Sequence, residues 1–230
     1  MNERVITTAK LPLTVPDRIA TELRQYARST WHPHFNTRQY QGEWTVLPLR
    51  TPGGKDHAIP DLIGDDGYAD TIHMRHLPSV QALMGSLACP IQSVRFLNLK
   101  AGAEIKPHRD HELAFEKGEA RLHFPIITNR HVEFYIECTR LDMQPGTCWY
   151  INANLVHQVT NRGATDRIHL VVDCVVNDWL ARLFDRADKQ TKTAEVDIVQ
   201  QRQVIDTLRS KCTPAATRLA EQLERELWKR

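Results

Sequence analysis

The sequence predicts a mainly β domain, a sandwich or barrel, with helices flanking it. From Ser93 onward the chain divides into short runs of alternating or β-branched character. Turn-forming segments such as Gln144-Pro145-Gly146 and Asn161-Arg162-Gly163 separate these runs. Short strands divided by turns about every ten residues favour an antiparallel sandwich or barrel over alternating β-α units.

Two predicted helices and an irregular segment precede the β region. The first helix covers residues 15–27 and has Pro16 near its start, and the second begins at Pro78. Residues 31–74 between them are rich in proline, glycine, histidine and aromatic side chains, and only residues 43–49 have strand character. Six strands are predicted after Ser93, over residues 94–99, 121–128, 132–137, 148–151, 155–160 and 167–176.

The segment after Trp179 is strongly polar and is predicted to be helical. One amphipathic helix is marked by Val196, Val199, Ile205 and Leu208 and a second by Leu219, Leu223 and Leu227, with a break at Thr213-Pro214. We therefore predict a domain over residues 1–185 and a helical appendage over 186–230. The appendage could pack on the domain or form a homodimer contact, and the spacing does not choose between the two.

Composition and charge exclude several classes of protein. The 230 residues carry a formal net charge of +2, so no electrostatic footprint for nucleic acid is visible. The longest apolar stretch is too short to cross a bilayer, and the first residues do not form a secretory signal. Five scattered cysteines without a C-x-x-C pair favour free thiols in a reducing compartment. A cytoplasmic location is therefore expected.

The most informative motif is His108-Arg109-Asp110 followed by His157. His-x-Asp with a distant histidine is the ligand set of the facial triad, which holds Fe(II) by one face and leaves positions for a co-substrate and dioxygen. In an extended segment His108 and Asp110 share one face, and antiparallel pairing could bring His157 to them. An isolated His-x-Asp arises by chance in many chains, so the neighbouring residues decide how much weight it carries.

Three basic residues extend this pattern. Arg167, ten residues after His157, lies where such an enzyme would hold the distal carboxylate of 2-oxoglutarate, although alone it could be a solvated strand end. Arg121 and His123 share one strand face, where they could meet a carboxylate or simply be exposed. His131 and His169 are predicted to lie on strand surfaces. Other histidines could line a substrate site, namely His32, His34, His57, His73 and His76.

The segment from about Arg95 to Asp173 resembles the aspartyl/asparaginyl β-hydroxylase family of Fe(II)/2-oxoglutarate-dependent oxygenases. The resemblance rests on Arg95-Phe96, Ala101-Gly102, Pro107-His108, Arg121-Leu122-His123, Pro145-Gly146, Asn154-Leu155-Val156-His157, Arg167 and Val171-Val172-Asp173. It implies a double-stranded β-helix (jelly-roll, cupin-like) core, with His108 and His157 as iron ligands. It also implies that Arg167 pairs with the distal carboxylate of 2-oxoglutarate, and that Arg121 and His123 contact the carboxylate nearer the metal.

Two departures from the family pattern bear on substrate and co-substrate. Asp110 stands where the mammalian aspartyl hydroxylases have glycine. At this position the sequence is similar to the bacterial proline hydroxylases, which keep the carboxylate. Leu97 stands where the mammalian members carry a serine that helps to hold 2-oxoglutarate. The first departure favours a small amino-acid-like substrate, while a free amino acid, a peptidyl Asp or Asn and a carrier-bound amino acid all stay open.

The implied function is hydroxylation of an unactivated C–H bond with Fe(2+), 2-oxoglutarate and O2, releasing succinate and CO2. One alternative is a cupin-type metalloenzyme that keeps the metal ligands and has no use for Arg167. Another is a non-catalytic barrel that binds a ligand, which an intact triad disfavours. Trp149 and Tyr150 are candidates for lining the pocket and equally for the core.

Overall fold

A computed structural model describes residues 4–26, 31–57, 67–110, 113–193, 198–211 and 213–228. The chain divides into two compact units, one of residues 6–192 and one of Met1–Val5 with Thr193–Arg230. The strands are β1 Arg4–Leu11, β2 His32–Pro33, β3 Tyr40–Gln41, β4 Trp44–Pro52, β5 Tyr68–Asp70, β6 Ile91–Leu99, β7 Glu104–His108, β8 Glu119–Ile127, β9 Val132–Ile136, β10 Thr139–Leu141, β11 Cys148–Ile151, β12 His157–Asn161, β13 Arg167–Val175 and β14 Asp188–Thr193. The helices are α1 Arg18–Tyr26, α2 Pro78–Ser86, α3 Asp178–Asp185, α4 Ile198–Ser210 and α5 Pro214–Trp228.

Two sheets form the β core. The larger has the order β14-β1-β11-β8-β13-β6-β4-β2 with β5 beside β4, and the smaller has the order β10-β9-β12-β7-β3. The apolar side chains of one buried cluster come from both sheets, including Leu97 and Leu99 of β6 and Phe134 and Val159 of the smaller sheet. The sheets therefore pack face to face, and the predicted double-stranded β-helix core is confirmed.

The first three helices cover the outer face of the larger sheet. Leu23 of α1, Leu83 of α2 and Leu183 of α3 belong to the same buried cluster as Phe96 of β6 and Leu170 of β13. Since β13 is covered on both faces, its sequence is an almost unbroken run of buried residues rather than an alternating one.

Most predicted elements are present. All six strands predicted after Ser93 occur within three residues of the predicted bounds, and α1, α2 and β4 lie where the sequence placed them. The prediction that the segment after Trp179 is helical throughout is wrong, because β14 follows α3. This strand, Asp-Lys-Gln-Thr-Lys-Thr, has no apolar residue, and only its backbone pairing at the end of the larger sheet makes it a strand.

The C-terminal helices α4 and α5 confirm the predicted pair and the break between them. Thr213 Oγ accepts a hydrogen bond from the Ala216 N–H at 3.2 Å, which caps the start of α5. Ile205 is buried, whereas Leu219 is 46% exposed. Val196 and the side chains of Val199 and Leu227 lie outside the described residues. The division at residues 185/186 and the homodimer contact stay predictions.

Two further predictions concern the thiols and the membrane. Cys89, Cys138, Cys148 and Cys174 are free, as predicted, and Cys212 lies outside the described residues. In the part of the chain that the structure describes, no helix combines the length and the apolar character needed to cross a membrane.

Candidate active site

The three predicted metal ligands come together where the two central strands of the smaller sheet meet. His108 ends β7, and His157 begins β12 directly opposite it in the antiparallel pair. Asp110 follows β7 and is anchored by its backbone N–H, which donates to the Ala153 carbonyl at 2.8 Å. One ligand atom from each of the three side chains lies within 4.8 Å of the others, so the structure brings the predicted triad together.

Backbone carbonyls orient both imidazoles. His108 Nδ1 lies 2.8 Å from the Lys106 carbonyl and His157 Nδ1 lies 3.0 Å from the Leu155 carbonyl. A carbonyl only accepts, so each Nδ1 carries a proton, and in the neutral ring Nε2 then keeps its lone pair. A ring held in this tautomer by its second nitrogen is the usual state of a metal-bound histidine.

A charged network fixes the Asp110 carboxylate. Arg121 Nη1 donates to Asp110, while Arg121 Nε and Nη2 donate to Asp173 at 2.6 and 3.0 Å. Asp173 also accepts from Arg95 at 2.9 Å and from the Ser93 hydroxyl at 2.8 Å. Burial alone would raise the pKa of Asp110, but Arg121 and, to a smaller extent, His157 and His108 hold it below its usual value. Asp110 is therefore ionised at neutral pH.

The triad opens into a cleft of about 610 Å³, lined also by Arg121, His123 and Arg167. Arg167 is only 2% exposed, and the described residues provide no carboxylate to pair with it. Burial lowers the pKa of Arg167 to about 9, which leaves the guanidinium charged at neutral pH. A buried cation without an anionic partner is costly, so the cleft is suited to an anionic ligand.

Buried polar atoms in the cleft are left without partners within the described chain. Both ring nitrogens of His123 and the Nε of Arg167 make no hydrogen bond. Burial, followed by the charge of Arg167, lowers the pKa of His123 well below its usual value, so its ring is neutral and offers one donor and one acceptor. Such atoms are rarely left unsatisfied in proteins, and a ligand with several oxygens would satisfy them.

His169 is a site residue that the sequence reasoning placed wrongly. It is 1% exposed, not on a strand surface, because β13 is covered on both faces. Its Nδ1 accepts a hydrogen bond from Arg167 Nη2 at 2.8 Å, and burial lowers its pKa well below the usual value, so it is a neutral acceptor. The predicted exposure of His131 is confirmed.

Only some of the other candidates lie at the cleft, and His32, His73 and His76 do not line it. His34, His57 and Leu97 line the cleft. Tyr150 is fully buried in the core, where its hydroxyl accepts from the Phe115 N–H at 2.9 Å, and Trp149 is half-buried away from the cleft. The oriented imidazoles, the ionised carboxylate and the unpartnered polar atoms thus fit a divalent metal with an oxygen-rich anion beside it.

Comparison with known proteins supports the same assignment. The model of the family described as Aspartyl/Asparaginyl beta-hydroxylase matches residues 9–176, which is most of the chain and includes every residue of this site. The chain belongs to the aspartyl/asparaginyl β-hydroxylase family. This family membership agrees with the resemblance drawn from the motifs alone.

One curated relative is L-proline cis-3-hydroxylase 2 from Streptomyces sp., 30% identical over 138 residues. The match covers 57% of this chain and 47% of the relative, so the chain spans about half of that protein's length.

Two solved structures are more distantly similar. A 2OG-Fe(II) oxygenase family oxidoreductase from Burkholderia pseudomallei has a TM-score of 0.45 and 17% identity, covering 73% of this chain and 85% of that one. A prolyl-4-hydroxylase from Pseudomonas putida has a TM-score of 0.44 and 10% identity, covering 75% of this chain and 94% of that one.

Proposed function

We propose that this protein is a hydroxylase that depends on Fe(II) and 2-oxoglutarate and acts on a proline-like or aspartate-like amino acid. The observation that carries the proposal is one cleft holding a convergent His-Asp-His set and a buried, anion-free Arg167. A metal site alone would not require the buried Arg167 guanidinium. A dicarboxylate bound to the metal would use both the metal site and this guanidinium.

Each side chain has a distinct task in this proposal. Nε2 of His108, Nε2 of His157 and a carboxylate oxygen of Asp110 hold the metal, and Arg121 keeps that carboxylate ionised and directed. Bound Fe(II) would supply the activation of dioxygen at the positions that three protein ligands leave open. The protein supplies orientation and exclusion of bulk water.

The co-substrate is positioned by basic groups. Arg167, whose planar guanidinium is suited to bidentate contact, takes the distal carboxylate of 2-oxoglutarate. His123 and Arg121 contact the carboxylate nearer the metal, His123 through the ring nitrogens that the protein leaves without partners. Succinate and CO2 are the expected co-products.

The substrate class is inferred from the cleft and from the curated relative. A volume of about 610 Å³ lies within the range of roughly 300–1,000 Å³ that is usual for small-molecule sites. The relative acts on L-proline according to its name. The resemblance of Asp110 to the carboxylate that bacterial proline hydroxylases keep also favours a small substrate. We therefore place a free amino acid such as proline ahead of a peptidyl or carrier-bound residue.

The test of the proposal is an anaerobic titration of metal-free protein with Fe(II) and then 2-oxoglutarate, followed by visible absorption. A weak charge-transfer band that needs both additions is expected in the wild type. Arg167→Ala should lose the band at the 2-oxoglutarate concentration that saturates the wild type, and His157→Ala should lose both the band and the equivalent of Fe(II) on which the band depends. Arg162→Ala is the matched control, because that arginine is exposed and pairs with Glu133 outside the cleft.

Each unfavourable outcome has a definite meaning. Iron binding without a band at saturating 2-oxoglutarate would contradict the co-substrate assignment and favour the cupin-type alternative. Absence of iron binding in folded wild-type protein would contradict the triad itself. If the band appears, 2-oxoglutarate-dependent succinate release with proline, other amino acids and Asp- or Asn-containing peptides identifies the substrate class.

A further inference from the structure

A second convergent set of metal-type side chains lies outside the triad. His32 is in β2, Asp56 follows the turn after β4, and His73 precedes the short 3-10 helix that leads to α2. Asp56 Oδ1 lies 2.9 Å from His32 Nε2 and also 2.9 Å from His73 Nε2. The proposed hydroxylase chemistry uses none of the three residues.

The buried histidine of this set has a nitrogen that its surroundings do not satisfy. His73 is 5% exposed, and its Nδ1 lies 2.8 Å from the Tyr26 hydroxyl. Its Nε2 is buried and makes no hydrogen bond, because Asp56 Oδ1, although close, lies off the direction of a ring N–H. A buried nitrogen that faces a carboxylate without bonding to it is uncommon in folded proteins.

The arrangement has the spacing of a metal site. A tetrahedral zinc with ligands at about 2.0–2.2 Å holds neighbouring ligand atoms about 3.3 Å apart. The two 2.9 Å contacts of Asp56 Oδ1 need only a few tenths of an ångström of expansion to match this spacing, and ligand atoms of all three side chains lie within 4.8 Å of one another. An ion between the ligands also places the oxygen off the imidazole lone-pair axis, as it is at His73, whereas the same oxygen is within hydrogen-bond geometry of His32 Nε2. The Tyr26 oxygen can accept the Nδ1 proton and leave Nε2 free to bind.

We propose that His32, Asp56 and His73 form a second metal site that takes a zinc-type divalent cation. Two imidazoles and one carboxylate suit zinc and its transition-metal neighbours rather than magnesium or calcium, which prefer oxygen ligands. The side chains of His32 and Asp56 are 38% and 41% exposed, so an ion has a path to the site.

The expected role of the ion is structural. The three ligands come from separate segments, and Tyr26 at the end of α1 contacts the third ligand. His34 and His57, which lie two residues and one residue from ligands, line the cleft of the candidate active site. A metal that joins these segments would therefore fix one wall of the cleft.

The test measures metal binding where the triad cannot contribute. Tag-free, metal-free His108→Ala/His157→Ala protein is titrated with Co(II) and, separately, with Zn(II), using visible d–d absorption and elemental analysis after desalting. One equivalent is expected to remain bound. Adding Asp56→Ala to this double variant should weaken the binding at least tenfold. Adding His32→Ala instead, at a half-exposed position, should have the same effect and serves as an independent variant.

Asp70→Asn is the matched control, since this nearby carboxylate pairs with Arg50 and lies outside the set. The control variant should still bind one equivalent of Co(II) or Zn(II). Circular dichroism shows whether every variant is folded. Failure of the folded double variant to bind either ion, or binding that survives both Asp56→Ala and His32→Ala, would overturn the second site. Neither outcome bears on the Fe(II)/2-oxoglutarate proposal, which is tested in protein with the triad intact.

Discussion

Among single residues, His169 accepts a hydrogen bond from Arg167 Nη2, and we infer that this bond directs the guanidinium. It acts through Arg167 and is therefore a positioning residue. We expect His169→Leu to raise the Kd of 2-oxoglutarate roughly tenfold, because Arg167 loses a hydrogen bond that involves its charged group. The affinity for Fe(II) should stay unchanged. His169→Asn, which keeps an acceptor, should recover part of the loss. Calorimetric titration measures both ligands.

The control for this change is His131→Leu, at an exposed histidine outside the cleft. Equal 2-oxoglutarate affinity in wild type and His169→Leu would contradict the positioning role. A parallel loss of Fe(II) and 2-oxoglutarate binding would indicate general disruption of the sheet instead.

Sequence reasoning found the residues whose chemistry and spacing are distinctive. The triad and Arg167 could be predicted because His-x-Asp and a later histidine and arginine form one recognisable pattern. His169 could also have been found, since a strand that points Arg167 inward points the residue two positions later inward as well. The Asp56 set could not, because three separate segments meet there only in the folded chain.

At the scale of strands, register holds the ion-pair network together. Asp173 of β13 lies opposite Arg121 of β8, and Arg95 comes from β6 on the other side. Asp173→Asn should destabilise the protein by about 3–5 kcal/mol, because two largely buried guanidiniums lose their shared carboxylate. Urea unfolding at pH 7 measures this change, and an effect below about 1 kcal/mol would contradict it.

The same carboxylate predicts a pH dependence. Burial would raise the pKa of Asp173, but Arg121 and Arg95 outweigh it and hold the pKa well below the usual value. Its stabilising contribution is therefore complete above the unfolded-state pKa of about 3.9 and is lost as the pH falls below it. Between pH 5 and pH 3, Asp173→Asn should lose less free energy of unfolding than the wild type, as urea titrations across that range would show.

A tight approach between segments gives a third prediction at this scale. Gly42 has φ +83°, and a Cβ there would lie 2.8 Å from the Ala103 Cβ and 2.9 Å from its Cα. Gly102 has a similar φ of +79°, with nothing within 4 Å of a Cβ. Gly42→Ala should therefore destabilise more than Gly102→Ala, which carries only a backbone cost of about 1 kcal/mol. Equal unfolding midpoints for the two variants would contradict the steric argument.

Most of the strands that the sequence did not predict are polar or very short. β14 is entirely polar, and β2, β3, β5 and β10 are two or three residues long, so their side chains show no recognisable periodicity. β1 and β7 are longer, but buried and exposed side chains do not alternate along them. Backbone pairing with a neighbouring strand defines them, and pairing partners are set by the folded core. The long buried strands carry the opposite signal and were predicted nearly to their ends.

For the molecule as a whole, ligand binding should appear as added stability. With Mn(II) in place of Fe(II) to avoid oxidation, 2-oxoglutarate at about 100 times its Kd should add about 2.7 kcal/mol, a Tm increase of about 5–10 °C for a chain of this size. The increase should require the metal and vanish in Arg167→Ala but not in Arg162→Ala. Differential scanning fluorimetry is sufficient, and an equal increase without metal would contradict the shared site.

The charges around the cleft also have a thermodynamic consequence. Arg95, Arg121 and Arg167 carry three positive charges against the two negative charges of Asp110 and Asp173. A divalent metal alone adds two positive charges to this enclosure, and a dicarboxylate alone adds two negative ones. When both bind, the original balance returns, so each ligand should increase the affinity of the other by the same factor, as reciprocal coupling requires.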